Sequence, residues 1–336
     1  MKHIAIVTVL VALLTIVTNY FLLSVGLLPV EASTQATIID KLFNTHFFII
    51  SFLFSLISVF MIYSLIVFRN KKGQDEDGKF VTGSTKLEIL WTIIPLATVI
   101  SFSYLGAKSL AETRIINPQA MTINVTASQW AWSFEYPDFE ITSNTLYLPV
   151  DNQVNLQMTS LDVIHSFWVP EFRVKQDVLP GENLVKELRF TPSIIGDYTL
   201  MCAELCGGAH AYMNSPVKVV SEADFQSWVD LESKADDLNP VQKGEKLVKN
   251  NGCIGCHTLD GSASVGPTWL GLSGSEKSLM DGEKIIVDDK YLMSSILNPN
   301  QDIVQNFSPN IMPSIYADLF SKEELEDIIA FINSLH

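Results

Sequence analysis

The sequence predicts a membrane-anchored chain of several domains: apolar transmembrane helices, a sandwich of short β-strands, and a small all-α domain. Three observations carry that reading. The first 115 residues hold three long apolar runs, the next hundred alternate polar and apolar residues at period two, and the last hundred set two close cysteines among helix-like segments.

The apolar runs extend from about Ile4 to Leu28, Phe47 to Phe68 and Leu87 to Leu110. Each is near the roughly 20 residues needed to cross a bilayer. Arg69-Asn70-Lys71-Lys72 follows the second run, and such basic clusters favour the cytoplasmic side. Asp75, Glu76 and Asp77 in the same loop weigh little in that rule. The third run then leads outward, so everything after about Ala111 is expected outside. The first run admits two readings. Lys2 before it and Val30-Glu31-Ala32 after it suit a signal peptide, whereas its apolar length exceeds the usual core of about 7–15 residues. Residues 1–34 are therefore a transmembrane helix or a signal peptide, and residues 35–115 a transmembrane hairpin.

Charge divides at the same place. Residues 1–115 carry nine basic and seven acidic residues, and the outer part carries 13 and 30, a net of −17. So acidic a surface excludes nucleic acid as a partner. It suits a basic protein steered at long range, or plain solubility.

Residues 116–222 read as β structure. Met121-Thr122-Ile123-Asn124-Val125-Thr126, Asn155-Leu156-Gln157-Met158 and Pro216-Val217-Lys218-Val219-Val220 alternate at period two, and Pro180-Gly181 and Ile195-Gly196-Asp197 punctuate them. A hundred residues of such strands suit a Greek-key sandwich. Residues 223–240, polar and partly helix-like, are expected as a linker that ends at Leu238-Asn239-Pro240. Residues 241–336 close on an amphipathic helix: Ser321 to Glu324 forms a capping box, and Leu325, Ile328, Ile329 and Ile332 share one face.

The chemistry lies in the cysteines. There are four, in two close pairs. The first pair sits in Cys202-Ala-Glu-Leu-Cys206-Gly-Gly-Ala-His210-Ala-Tyr-Met213, with His165 upstream. One cysteine, two histidines and a weak axial methionine make a cupredoxin copper site. The second cysteine in the same loop lets two thiolates bridge two metals. A Cys202–Cys206 disulfide is the alternative, and it leaves the spacing of His210 and Met213 unexplained. The second pair reads Cys253-Ile-Gly-Cys256-His257, the attachment signature of a c-type haem, with His257 as the proximal iron ligand. Half a zinc site is the alternative, but no second Cys or His pair follows. A sixth iron ligand is expected from Met280, Met293 or Met312. Met312, before Pro313 and the last helix, is best placed to reach the distal face.

Together these stretches resemble cytochrome c oxidase subunit II of the caa type, with a fused C-terminal class I cytochrome c. The resemblance covers about residues 35–336 and includes Leu87 to Pro95, Gln129 to Tyr136 and Val163 to Pro170. It implies a cupredoxin-like domain whose dinuclear copper, CuA, is held by the side chains of His165, Cys202, Cys206, His210 and Met213 and by the backbone carbonyl of Glu204. It further implies that the Glu204 carboxylate meets a magnesium ion at the subunit I interface, that Trp130 is the electron-entry surface and that Glu88 lies at the mouth of a proton pathway. Trp132 is expected in the core, and Trp168 is expected to pack around the copper. Phe167, Met201 and Glu182 depart from the common family residues, and none is a ligand. The extra N-terminal span lies outside the usual two-helix plan.

The implied activity is electron transfer from an external donor through haem c and CuA to haem a of subunit I, coupled to proton pumping. The implied setting is a bacterial plasma (inner) membrane, with subunits I and III as partners. Cytochrome c, a complex III or an alternative complex is the implied donor. No nucleophile, base or substrate pocket is evident in this chain, so dioxygen chemistry falls to a partner. A nitrous oxide reductase would need a large His-rich catalytic domain, absent here. A free-standing membrane carrier differs only in lacking a catalytic partner.

Overall fold

The computed structural model describes residues 2–70, 80–181, 183–233 and 238–336. Lys71, Lys72, Asp75, Glu76, Asp77 and Glu182, weighed above, lie outside the described residues. The chain forms two compact units, Met1–Ile115 and Ile116–His336.

Three helices make up the first unit: α1 (Lys2–Ser24), α2 (Thr34–Val67) and α3 (Thr85–Thr113). All three are long and apolar enough to cross a membrane. Val7 and Val11 of α1 pack on Val59 of α2, and the rings of His46 on α2 and Phe102 on α3 lie 4.3 Å apart. Helix α2 starts well before the apolar run at Phe47. The cause is local: Ser33 caps it, its hydroxyl accepting the Ala36 N–H at 3.0 Å, and no breaker intervenes. Pro95 lies inside α3, a residue that transmembrane helices tolerate better than soluble ones.

The second unit opens with ten strands: β1 (Met121–Ser128), β2 (Ala131–Tyr136), β3 (Ile141–Ser143), β4 (Leu146–Pro149), β5 (Val154–Ser160), β6 (His165–Val169), β7 (Val174–Val178), β8 (Lys186–Phe190), β9 (Gly196–Cys202) and β10 (Asn214–Val220). They form two five-stranded sheets, ordered β3-β2-β1-β5-β8 and β4-β10-β9-β6-β7. Strand β1 runs parallel to β5 with Val125 opposite Met158, and β10 runs parallel to β4. Ile123, Val125, Ala127, Leu156 and Met158 are fully buried while their neighbours are not, the alternation of a half-buried strand.

Helix α4 (Glu222–Glu232) follows, within the segment expected as a linker. Ser221 caps it, and its Phe225 and Trp228 pack on the sandwich. Trp228 stacks on Tyr147 at 4.4 Å and meets Tyr136 edge-on at 4.9 Å. The helix-like composition of this segment is realised over Glu222–Glu232, and only a narrow stripe of it, Phe225, Trp228 and Val229, is buried.

The remaining elements are α5 (Pro240–Asn250), strands β11 (Glu276–Ser278) and β12 (Lys284–Ile286), α6 (Asp289–Leu297), α7 (Tyr316–Leu319) and α8 (Lys322–Asn333). Asn239 opens α5 with a full capping box, so Asn239-Pro240 is a helix start. Helix α5 crosses α8 closely: a Cβ on Gly244 would sit 2.0 Å from the Asp327 carbonyl oxygen. Val248, Leu292, Leu325, Ile328 and Ile332 form the core beneath. The Ser321–Glu324 capping box forms at the start of α8.

Candidate metal centre and haem cleft

Two strand ends build the first site. His165 opens β6 and Cys202 closes β9, and these strands pair with Phe167 opposite Cys202. Residues 203–213 loop out and return to β10, closed where the Cys202 N–H donates to the Met213 carbonyl at 3.1 Å. The loop brings the soft donors together. Cys202 Sγ lies 3.7 Å from Cys206 Sγ and 3.9 Å from His165 Nδ1. Cys206 Sγ lies 3.4 Å from His210 Nδ1 and 3.7 Å from Met213 Sδ. The Glu204 carbonyl faces Cys202 Sγ at 3.2 Å, while its side chain is exposed. Both cysteines are free thiols, and His165, Cys202, Cys206 and Met213 are buried. Two thiols, two imidazoles, a thioether and a carbonyl converging without a disulfide fit copper by the chemistry of the donor set.

Electrostatics prepare the pair unequally. Burial opposes ionisation of Cys202, but its hydrogen-bond contacts with His165 and with the Glu204 and Ser166 backbone outweigh it and bring the thiol down to about 6. Burial, and then the charge of Cys202 beside it, push Cys206 up to about 12.

Asp162 was not singled out in the sequence. Its carboxylate accepts the His165 Nε2–H at 2.9 Å, the Gln129 N–H at 2.7 Å and the Val163 N–H at 2.7 Å. These bonds outweigh the burial that opposes its charge, so its pKa is lowered. The only sequence signal is a carboxylate three residues before a ligand histidine, which an ordinary turn also produces.

Trp132, 2% exposed, meets His165 edge-on at 6.2 Å and Phe167 at 5.9 Å, which makes it core. The expectation for Trp168 is corrected: it is 37% exposed, and Phe167 is the buried neighbour. Strand parity explains this, since His165, Phe167 and Val169 share the inward face. Trp130 is half-buried, and its indole N–H donates to the Cys206 carbonyl at 3.2 Å. Gln129 Nε2 donates to the same carbonyl at 2.7 Å. Glu88 lies in the first turn of α3, in the other unit, with its side chain exposed.

The second site is a cleft in the helical domain. Cys253, Cys256, His257 and Met312 all line it, as do Trp130 and Tyr212 from the sandwich. His257 stacks on Trp269 at 4.9 Å, and its Nδ1–H donates to the Pro267 carbonyl at 2.8 Å. Burial lowers its pKa more than that bond raises it, which keeps the imidazole neutral and its Nε2 lone pair available. Met293 instead lines a groove between α6 and α8, and Met280 is 59% exposed. An apolar cleft with two thiols, a neutral imidazole and a thioether on its walls fits a covalent haem.

Each part of the chain is similar to known proteins. Residues 20–110 match the transmembrane domain of cytochrome c oxidase subunit II, residues 140–220 match its periplasmic domain, and residues 241–336 match cytochrome c. Cytochrome c oxidase subunit 2 of a Synechocystis strain is 31% identical over 67% of this chain and 82% of its own length. The protein of that name from Alkalihalophilus pseudofirmus is 31% identical over 83% and 82%. A solved structure, the periplasmic domain of subunit II of cytochrome oxidase of Bradyrhizobium japonicum, is 34% identical over 35% of this chain and 98% of that one, with a TM-score of 0.33. The chain belongs to the cytochrome c oxidase subunit II family, in the form with a fused C-terminal cytochrome c, a membership that implies copper at the first site and haem c at the second.

Proposed function

We propose that this chain takes electrons from an external donor at its cytochrome domain and passes them by way of its copper loop to subunit I. When bound, haem c and dinuclear CuA supply one-electron carriers, in the order donor, haem c, CuA and haem a of subunit I. The observation that carries this reading is the position of Trp130. Trp130 lines the cleft that holds Cys253, Cys256 and His257, and its indole N–H rests on the carbonyl of Cys206.

The residues then have separable roles. Cys253 and Cys256 would attach the haem, and His257 and Met312 would ligate its iron. His165, Cys202, Cys206, His210, Met213 and the Glu204 carbonyl would hold the two coppers. The burial of His165, Cys202, Cys206 and Met213 excludes water from their donor atoms, which limits rearrangement when an electron arrives. The Glu204 carboxylate, exposed, would face a magnesium ion at the subunit I interface. Glu88 would sit at a proton-pathway mouth, a carboxylate entering an apolar helix being costly unless it is functional or lies at the membrane interface, and an interfacial, solvated Glu88 is the competing reading. The setting is a bacterial plasma membrane, with subunits I and III as partners, both redox domains on the outer face and proton translocation in the complex. A free-standing carrier is the competing reading, and it requires that no haem–copper subunit co-purify with the chain.

Replacing Cys253 and Cys256 by alanine in the intact complex tests the order of entry. Stopped-flow reduction of copper by the physiological donor should slow sharply, while strong artificial reductants still reduce it. Equally fast reduction by the donor would move the entry port to Trp130.

A further inference from the structure

The cytochrome domain is seated on the sandwich by contacts that none of the roles above uses. Lys249 and Asn250 lie in the last turn of α5, where backbone carbonyls lack intrahelical partners. Asn144, between β3 and β4, donates its side-chain N–H to the Lys249 carbonyl at 2.9 Å. Asn250 returns the bond, its side chain donating to the Thr142 carbonyl at 3.0 Å. Asn144 is itself fixed, because its own carbonyl accepts from the Ser215 hydroxyl of β10. Each asparagine thus reads a backbone group of the other domain.

Gly252 completes the arrangement, one residue before the haem-attachment cysteine. Its φ is +71°, and a Cβ there would lie 2.4 Å from the Ala131 Cβ, at the start of β2 beside Trp130. Helix termination explains the positive φ. It does not explain why the backbone lies in direct contact with another domain. The seat also leaves Gln129, Trp130, Ala209 and Tyr212 forming one wall of the haem cleft.

We propose that Asn144, Asn250 and Gly252 are positioning residues. They clamp the cytochrome domain over Trp130, fix the haem-attachment loop against the turn between β1 and β2, and close that face to a separate carrier. This rests on the order of entry proposed above, in which the cytochrome domain is the input port.

Steric rescue provides the test. In Gly252→Ala the new methyl meets the Ala131 Cβ. In Gly252→Ala with Ala131→Gly the nearest atom becomes the Ala131 Cα at 3.5 Å, an ordinary contact. Backbone strain at position 252 is common to both variants, so their difference isolates the domain contact. Hydrogen–deuterium exchange on the full chain, followed in segments 128–133 and 246–253, is the readout, and an unchanged haem spectrum verifies the cytochrome fold. Gly252→Ala should speed exchange in both segments, and the second substitution should restore it. Asn144→Ala, which introduces no strain, should speed the same segments by about fivefold, as loss of a hydrogen bond of ordinary net strength implies. If Gly252→Ala does not fold, Asn144→Ala and Asn250→Ala decide alone. Unchanged exchange in segment 128–133, or a double variant no better than the single one, overturns the clamp. Both outcomes are independent of which cofactor is reduced first, so the clamp and the order of entry fail separately.

Discussion

His165 donates its Nε2–H to Asp162 at 2.9 Å and so presents Nδ1 to Cys202 Sγ at 3.9 Å. One hydrogen bond sets which nitrogen faces the thiols, because neutral imidazole carries only one proton. Asp162 also accepts from the Gln129 backbone, and Gln129 bonds the Cys206 carbonyl. The carboxylate therefore links the ligand on β6, the loop between β1 and β2, and the backbone of Cys206.

Asp162→Ala should consequently lower copper affinity by about 10- to 100-fold, the usual effect of losing a partner that orients a metal-bound histidine. Competition with a copper chelator measures it. Asp162→Asn should recover part of the loss, since an amide oxygen still accepts the His165 proton. An affinity equal to wild type in both variants would make Asp162 a simple turn residue.

Cys206→Ser or His210→Ala should abolish the near-infrared and electron-resonance signature of mixed-valence dinuclear copper while haem c stays attached. Cys206 is the better probe, because its sulfur lies within 3.7 Å of Cys202, His210 and Met213 together. Persistence of the signature in both variants would refute the copper assignment.

Much of this was legible in the sequence, and what was not has a physical cause. The donor set of the copper loop was readable because both cysteines, His210 and Met213 fall on one short segment closed by a single pair of strands. Period-two alternation located β1, β5 and β10, and the Ser321 capping box located α8. Trp168 faces outward because strand parity puts His165, Phe167 and Val169 inward, and closeness to a ligand in sequence does not determine the face. Asp162 was missed because its role depends on a side-chain direction that spacing leaves open. The contacts of Asn144, Asn250 and Gly252 join residues far apart in the chain, and no local pattern encodes them.

Trp228→Ala should destabilise the sandwich by about 3–5 kcal/mol, the usual range for removing a buried aromatic side chain. The residue is 8% exposed and bridges α4 to Tyr136 and Tyr147. The fall should appear in the thermal transition followed by near-ultraviolet circular dichroism. A change under 1 kcal/mol would mean that α4 is merely laid against the sheet and that residues 223–240 act as the linker their composition suggests.

Met312 is the last assignment that spectroscopy can settle. A thioether ligand gives oxidised haem c a sulfur-to-iron charge-transfer band and raises its potential. Met312 lines the cleft with Cys253, Cys256 and His257, whereas Met293 lines a groove between α6 and α8 and Met280 is exposed. Met312→Ala should therefore remove the band and lower the potential. Met293→Ala should leave the band in place and cost stability alone, through a gap against the core that α6 and α8 share. The two readouts separate ligation from packing, because a packing defect shifts the unfolding midpoint without removing the band. A band that survives in Met312→Ala and disappears in Met293→Ala would reverse the assignment and would require α6 to turn Met293 inward when haem is attached.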